Sequence, residues 1–128
     1  MLVIVLGDAT LQRYMLKSKI HRATLTGTEL SYEGSISIDL NLIEAANLLP
    51  GEQVHVLNLS NNERLVTYVI EAPRGSGTME LNGPAARAGL AGDLLVVISY
   101  CTLDDADAAG FESIVVKVDE NNRQIPSS

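Results

Sequence analysis

Short runs with β-strand character follow one another along this chain and are separated by residues that favour turns. The run SISIDL places Ile36, Ile38 and Leu40 on one face, which is the period-two pattern of a half-buried strand. The run DLLVVISY is continuously apolar and predicts a strand that is buried on both faces. No repeat or linker divides the 128 residues, and a chain of this length predicts one domain.

Four further strands are predicted from the same signals. Residues 19–26 form one run, and ESIVVKV predicts the last strand of the chain. The runs QVHVLNL and RLVTYVIEA flank Ser60, Asn61 and Asn62, which together predict a hairpin turn. Many short strands of this kind predict a mainly-β fold that closes as a compact β-barrel, and periodicity leaves the type of barrel open.

The helical signals are few and short. Asn41 and Glu44 have the spacing of a capping box, which predicts a helix over LIEAANLL that ends at Pro50-Gly51. Pro84 suits the first position of a short helix over AARAGL. The segment DDADAAG predicts one more helical turn.

The charge of the chain argues against nucleic acid as a partner. The formal net charge is -7, and the nine Lys and Arg residues are scattered, whereas phosphate binding needs them clustered. Lys17, Lys19 and Arg22 are the exception, and these three side chains could bind a small anion. The single cysteine, Cys101, excludes an internal disulfide framework and predicts a reducing compartment, the cytoplasm.

The first residues are predicted to be an extension. The apolar run in MLVIVLGDAT is too short to span a membrane and lacks the layout of a secretion signal, so no membrane association is expected. Met15 opens the segment MLKSKIHR. We therefore expect residues 1–14 to be an N-terminal extension and residues 15–128 to form a single domain.

Conventional catalytic groups give weak signals. No nucleophile-elbow pattern accompanies the two histidines, and Cys101 ends an apolar strand, which favours a buried structural cysteine. His55 alternates with Val54 and Val56 and is predicted to face the less buried side of its strand. Two isolated histidines without further ligands at suitable spacing predict no metal site, and RGSG lacks the Lys-Ser/Thr of a phosphate loop.

Arg64 and Tyr68 are four residues apart on one predicted strand and therefore share a face, about 13 Å apart. A guanidinium can hold a carboxylate through two hydrogen bonds, and a phenol can donate a proton. Arginine and tyrosine are also routine on a solvent-facing strand, and the residues alone favour that interpretation.

Gly34-Ser35, in the segment YEGSIS, offers a source of electrophilic chemistry. No standard side chain acts as an electron sink, so amino-acid decarboxylation normally requires a carbonyl cofactor. A serine that follows glycine in a strained turn can attack the preceding carbonyl, and β-elimination then cuts the chain and leaves a pyruvoyl group. Glycine permits backbone conformations that other residues resist. Taken alone, however, a Gly-Ser pair predicts only a turn.

Four segments together resemble the aspartate 1-decarboxylase family: MLKSKIHRATLTGTELSYEGSISID, NNERLVTYVI, RGSG and ELNGPAARAGLAGDLLVVISY in this order, within residues 15–118. The resemblance implies a double-psi β-barrel with a few short helices, assembled as a homotetramer with active sites between subunits. It implies a zymogen that cleaves itself between Gly34 and Ser35, giving a β chain to Gly34 and an α chain that begins with pyruvoyl. Neither a metal nor PLP is implied.

The resemblance also implies a reaction and a set of roles. L-Aspartate would form a Schiff base with the pyruvoyl group and lose its α-carboxylate, giving β-alanine for pantothenate and coenzyme A biosynthesis. Ser35 would be the nucleophile of self-cleavage, Gly34 the cleavage site and Tyr68 the proton donor. The residues that the resemblance assigns to substrate binding are Lys19, Arg64, Thr67, Gly83, Pro84 and Ala85, and those that would support the site are His21, Tyr32 and Asn82.

Several points remain open at this level. Pro84 stands where the family more often has alanine, so a backbone N–H is missing there. A regular strand would turn Thr67 away from Arg64 and Tyr68. For all three side chains to act in one active site, the strand needs a β-bulge or the site must span two subunits. The alternatives are a pyruvoyl decarboxylase for another amino acid, and a non-enzymatic β-barrel with an uncut chain.

Overall fold

The computed structural model describes residues 5–6 and 9–126. Its strands are β1 Val5–Leu6, β2 Ala9–Thr10, β3 Gln12–Thr24, β4 Gly27–Glu29, β5 Ser35–Asp39, β6 Gln53–Asn58, β7 Arg64–Ala72, β8 Met79–Asn82, β9 Leu94–Asp104, β10 Ile114–Val118 and β11 Gln124–Ile125. Its helices are α1 Leu40–Ala45, α2 Asp105–Ala108 and the 3₁₀ helix Gly83–Ala88.

One large mixed sheet organises the part of the chain that the structure describes. Its nine strands follow the order β11-β10-β3-β9-β6-β7-β5-β8-β4, and β1 and β2 pair separately. The pairs β10/β3, β4/β8 and β5/β7 are parallel, and the remaining neighbours are antiparallel. This mainly-β architecture with few short helices confirms the predicted fold class and is consistent with a double-psi β-barrel.

The core lies against the apolar faces of these strands. Ile36 and Ile38 are wholly buried, which confirms their predicted face, while Leu40 begins α1 and is only half-buried. In β9 the consecutive residues Leu95, Val96 and Val97 are all buried. The prediction of a strand buried on both faces is therefore confirmed for the first part of β9, before the sheet opens to solvent.

The predicted hairpin is present, since β6 and β7 pair antiparallel and Asn62 in the turn has φ +66°. The predicted strand over residues 19–26 is longer at its start, because β3 already pairs with β9 at Gln12. β3 thus runs across residue 14, where the N-terminal extension was predicted to end. The division of the chain into an extension and a domain stays a prediction. Residues 1–4 and 7–8 of the predicted extension lie outside the described residues.

The predicted capping box is wrong. Asp39 caps α1, and its Oδ1 accepts the backbone N–H of Asn41 at 2.9 Å. Glu44 is instead in an exposed ion pair with Arg74, 2.6 Å between the closest atoms. The helix is also shorter than predicted and ends at Ala45, well before Pro50.

The RGSG loop, residues 74–77, folds around the carboxylate of Asp39. The backbone N–H groups of Gly75 and Gly77 donate to Asp39 at 2.9 and 2.8 Å. Burial alone would raise the pKa of Asp39, but these hydrogen bonds, with that of Asn41 and the charge of Arg123, hold it below its ordinary value. The loop therefore serves the fold by binding an internal anion.

Two side-chain predictions are revised. Cys101 is half-buried and borders a cleft of about 590 Å³, because β9 has reached the surface by this point. Lys17, which was predicted as part of a small-anion site, forms hydrogen bonds within the chain. Its Nζ donates to Oε2 of Glu52 and to the carbonyl of Asn47, each at 2.7 Å. None of the described helices is long and apolar enough to cross a membrane.

Candidate active site

Ser35 is the first residue of β5 and lies opposite Asn82, the last residue of β8. Ser35 is 0% exposed and Asn82 is 2% exposed. The antiparallel pairing therefore buries a hydroxyl and a carboxamide side by side, directly after the Gly34-Ser35 peptide bond. Buried polar groups of this kind need partners within the protein.

The hydroxyl of Ser35 has two such partners. Its Oγ donates to the carbonyl of Glu33 at 2.9 Å and accepts a hydrogen bond from Nδ2 of Asn82 at 3.1 Å. The same Nδ2 donates to Oγ of Ser37 at 2.9 Å. Ser35 is therefore oriented by contacts on both sides, and one lone pair of its oxygen has no partner among these groups.

Gly83 supports the segment before the predicted cleavage position. It has φ +60°, and a Cβ added there would lie 2.6 Å from the carbonyl oxygen of Tyr32 and 2.7 Å from the amide nitrogen of Gly34. Only glycine permits this close approach of two backbone segments. The loop that carries Gly34 thus packs directly on the backbone of Gly83.

The expectation that Gly34 adopts a backbone conformation that other residues resist stays a prediction, because a positive φ is only one such conformation. Gly34 is not among the described residues with positive φ. Its constraint is steric, because a Cβ at Gly34 would lie 3.3 Å from Cδ of Pro84. The proline ring therefore narrows the space at the predicted cleavage position.

A cleft of about 410 Å³ opens beside Gly34. It brings together five residues predicted for the site, and the full lining is Gly34, Leu65, Val66, Thr67, Tyr68, Pro84, Ala85 and Ala88. The register of β7 against β6 is continuous from Arg64 to Tyr68. Thr67 and Tyr68 therefore border the same cleft without the bulge that the sequence suggested.

Tyr68 is bound to the segment that precedes the predicted cleavage position. Its hydroxyl donates to Oε2 of Glu33 at 3.1 Å. Partial burial raises the pKa of Tyr68. The hydrogen bond to Glu33 and the electrostatic effects of Glu33 and Tyr32 raise it further. The phenol of Tyr68 therefore gives up its proton less readily than that of an ordinary tyrosine.

Arg64 lies outside this cleft. Its Nη2 is 3.3 Å from Nδ1 of His55 and donates to the hydroxyl of Tyr100 at 3.5 Å. The rings of His55 and Tyr100 pack edge to face with centroids 5.2 Å apart. His55 is half-buried between Val54 and Val56, as predicted, and with Tyr100 it orients the guanidinium.

Lys19 and His21 lie farther away, on β3, which β9 and β6 separate from β7. Nδ1 of His21 is buried without a hydrogen-bond partner. Burial lowers the pKa of His21, and the charges of Lys19, Arg22 and Lys117 lower it further. These two residues do not line the cleft beside Gly34.

Tyr32 is exposed and borders a different cleft, of about 320 Å³, together with Ser37 and Asn82. The carboxamide of Asn82 thus lies between this cleft and Ser35. In the described part of the chain, no group of three or more His, Cys, Asp or Glu residues is arranged to hold a metal ion.

Sequence reasoning missed Glu33, Ser37, His55 and Tyr100 as neighbours of the site. Ser37 had a usable signal, because it is two residues after Ser35 and a strand places both on one face. The contact of Glu33 with Tyr68 joins residues far apart in the chain, and no local pattern indicates it.

The known proteins that this chain is similar to belong to one family. The profile of the Aspartate decarboxylase family matches residues 11–125. The aspartate 1-decarboxylase of Thermoanaerobacter pseudethanolicus is 51% identical over 90% of this chain and 98% of its own length. That of Dehalococcoides mccartyi is 55% identical over 85% of this chain and 88% of its own length. With a family match over most of the chain and relatives this similar, the chain belongs to the aspartate decarboxylase family.

Proposed function

We propose that this protein decarboxylates L-aspartate at the α-carboxylate to β-alanine and CO₂, with a pyruvoyl group formed from Ser35 and without a metal or PLP. Membership of the family supports the substrate and the reaction. The observation that carries the proposal is the buried hydroxyl of Ser35, oriented by Asn82 and Glu33 directly after Gly34.

Self-cleavage follows from the chemistry of this serine. Oγ attacks the carbonyl carbon of Gly34, the C–N bond is replaced by an ester C–O bond, and the hydroxyl proton passes to the nitrogen of Ser35. Removal of the α-proton of Ser35 then expels the carboxylate of Gly34 and leaves dehydroalanine. Water adds to its imine tautomer and ammonia leaves, so one water is consumed and one ammonia is released in total.

The residues around Ser35 fit a carbonyl group at this position. Gly83 leaves room where a Cβ would collide with the loop, and Asn82 supplies an N–H donor that can serve a carbonyl oxygen as well as a hydroxyl. Once formed, a pyruvoyl ketone supplies the electron-withdrawing carbonyl that amino-acid decarboxylation requires.

The remaining roles are assigned to residues that line the cleft and to two cationic side chains outside it. Tyr68, kept protonated beside Glu33, would donate the proton that replaces CO₂ on the substrate carbon. Arg64, with Lys19, would bind the two carboxylates of aspartate and disfavour neutral amino acids. Thr67, Pro84 and Ala85 would form the walls around the substrate.

A homotetramer with sites between subunits is part of the proposal. It is supported by the position of Lys19 on β3, three strands away from Tyr68 on β7. A neighbouring subunit could supply Lys19 and His21 to the cleft beside Gly34. We further propose a cytoplasmic enzyme whose β-alanine enters pantothenate and coenzyme A biosynthesis, and the lone Cys101 supports a reducing compartment.

Intact mass spectrometry with a β-alanine assay tests the proposal. The protein should separate into two chains that meet at Gly34 and Ser35, the second beginning with pyruvoyl, and Ser35→Ala should stay whole and inactive. Turnover of glutamate in preference to aspartate would indicate a decarboxylase for another amino acid. A single uncut chain without activity would indicate a non-enzymatic barrel.

A further inference from the structure

The carboxamide of Asn82 joins two serine hydroxyls at the start of β5. Ser35 and Ser37 are two residues apart on this strand and face the same side, opposite the end of β8. Nδ2 of Asn82 donates to Ser37 at 2.9 Å and to Ser35 at 3.1 Å. One buried amide group therefore depends on both hydroxyls for its partners.

The direction of these hydrogen bonds is fixed by counting protons. The single proton of the Ser35 hydroxyl goes to the carbonyl of Glu33, so Asn82 must be the donor toward Ser35. The amide must then present Nδ2, and its second proton goes to Ser37. Ser37 is thus the acceptor that holds the carboxamide in the orientation that serves Ser35.

We infer that Ser37 is a positioning residue for self-cleavage at Ser35, an inference that rests on the proposed function. Negative charge develops on Oγ of Ser35 as its proton leaves during attack on Gly34. The N–H of Asn82 stabilises that charge only while the amide faces Ser35. Without Ser37, an amide proton loses its partner in a site where Asn82 is 2% exposed, and the carboxamide is free to turn away.

Ser37→Val and Ser37→Thr test this role, because the two side chains have the same shape and differ by the hydroxyl. Each variant is purified rapidly after a short induction, and its cleavage is followed by intact mass. We expect Ser37→Val to cleave about two- to tenfold more slowly than the wild type, the factor that one neutral hydrogen bond supplies. Ser37→Thr should restore the wild-type rate.

The same substitutions in an uncut Ser35→Ala chain show whether they disturb the fold, through their thermal unfolding midpoints. If Ser37→Val fails to fold, Ser37→Ala replaces it, since it only removes atoms. Wild-type cleavage rates in the variants without the hydroxyl, or slow cleavage in Ser37→Thr, would overturn the inference alone. A wild-type chain that never cleaves would overturn the proposed function and this inference with it.

Discussion

The phenol of Tyr68 donates a hydrogen bond to the carboxylate of Glu33, 3.1 Å away, across 35 positions of sequence. Glu33 directly precedes Gly34, so the proposed proton donor is bound to the segment that self-cleavage would turn into a chain end. The contact links the protonation of Tyr68 to the state of the loop.

Replacing Glu33 should lower the pKa of Tyr68 toward the ordinary value of about 10, since the hydrogen bond and the charge that raise it are removed. Glu33→Gln in the uncut Ser35→Ala chain is compared with the same chain carrying Glu33, by ultraviolet titration with Tyr68→Phe subtracted. Glu29→Gln is the control, because Glu29 binds Ser31 and not Tyr68. An unchanged titration would mean that Glu33 does not influence the phenol.

Tyr68→Phe should reduce kcat for aspartate by about 10²–10⁴-fold, the usual contribution of a positioned general acid. Cleavage should persist, because the hydroxyl of Tyr68 bonds to Glu33 and not to Ser35. Steady-state kinetics and intact mass measure the two effects separately. Tyr14→Phe is the control, since Tyr14 is 85% exposed and borders another cleft. A variant that turns over normally, or one that stays uncut, would assign Tyr68 a different role.

Arg64→Ala should leave self-cleavage intact and weaken aspartate turnover, with kcat/KM about 10–100-fold lower, as expected for a lost charged hydrogen bond. The guanidinium contacts His55 and Tyr100 and makes no contact with Ser35, so the two activities separate. Arg74→Ala is the matched control, because Arg74 pairs with Glu44 outside the cleft. Equal kinetics in both variants would make Arg64 an ordinary surface residue.

Asp39→Asn should lower the free energy of unfolding by about 1.5–3 kcal/mol, since a buried carboxylate that binds three backbone N–H groups is neutralised. The pKa of Asp39 is lowered by folding, so its contribution is present above about pH 3.9 and is lost as the pH falls through the folded value. Denaturant unfolding at several pH values measures both effects in the uncut Ser35→Ala chain.

Glu44→Gln provides the comparison for Asp39. Its ion pair with Arg74 is exposed, so little change in stability is expected. If Asp39→Asn unfolds at the same denaturant concentration as Glu44→Gln, the buried carboxylate does not stabilise the loop.

Local sequence patterns located most of the longer strands, but they missed the short strands β4, β8 and β11 and the contacts between strands. Ile36 and Ile38 were placed correctly because strand alternation is a local property. Asp39 was overlooked as the cap because Asn41 and Glu44 satisfy the same local motif, and what distinguishes Asp39 is the RGSG loop far along the chain. A capping-box pattern gives no information about a partner as distant in sequence as this loop.

In the candidate site, too, local sequence patterns do not predict long-range contacts. Gly34, Tyr68 and Ala85 were expected together from the resemblance, and the cleft beside Gly34 contains all three. The position of Lys19 away from that cleft follows from strand order, which depends on long-range pairing. The roles assigned to these residues stay predictions until the variants above are measured.

The position of β3 in the sheet has a consequence for a chain that is cut after Gly34. A cut after Gly34 leaves β1 to β4 on one fragment, and β5 to β11 on the other. β3 pairs with β9 along most of its length and joins β10 and β11 to the rest of the sheet. The mature fold is then a non-covalent complex of two peptides, so unfolding releases two molecules and its midpoint rises with protein concentration by mass action.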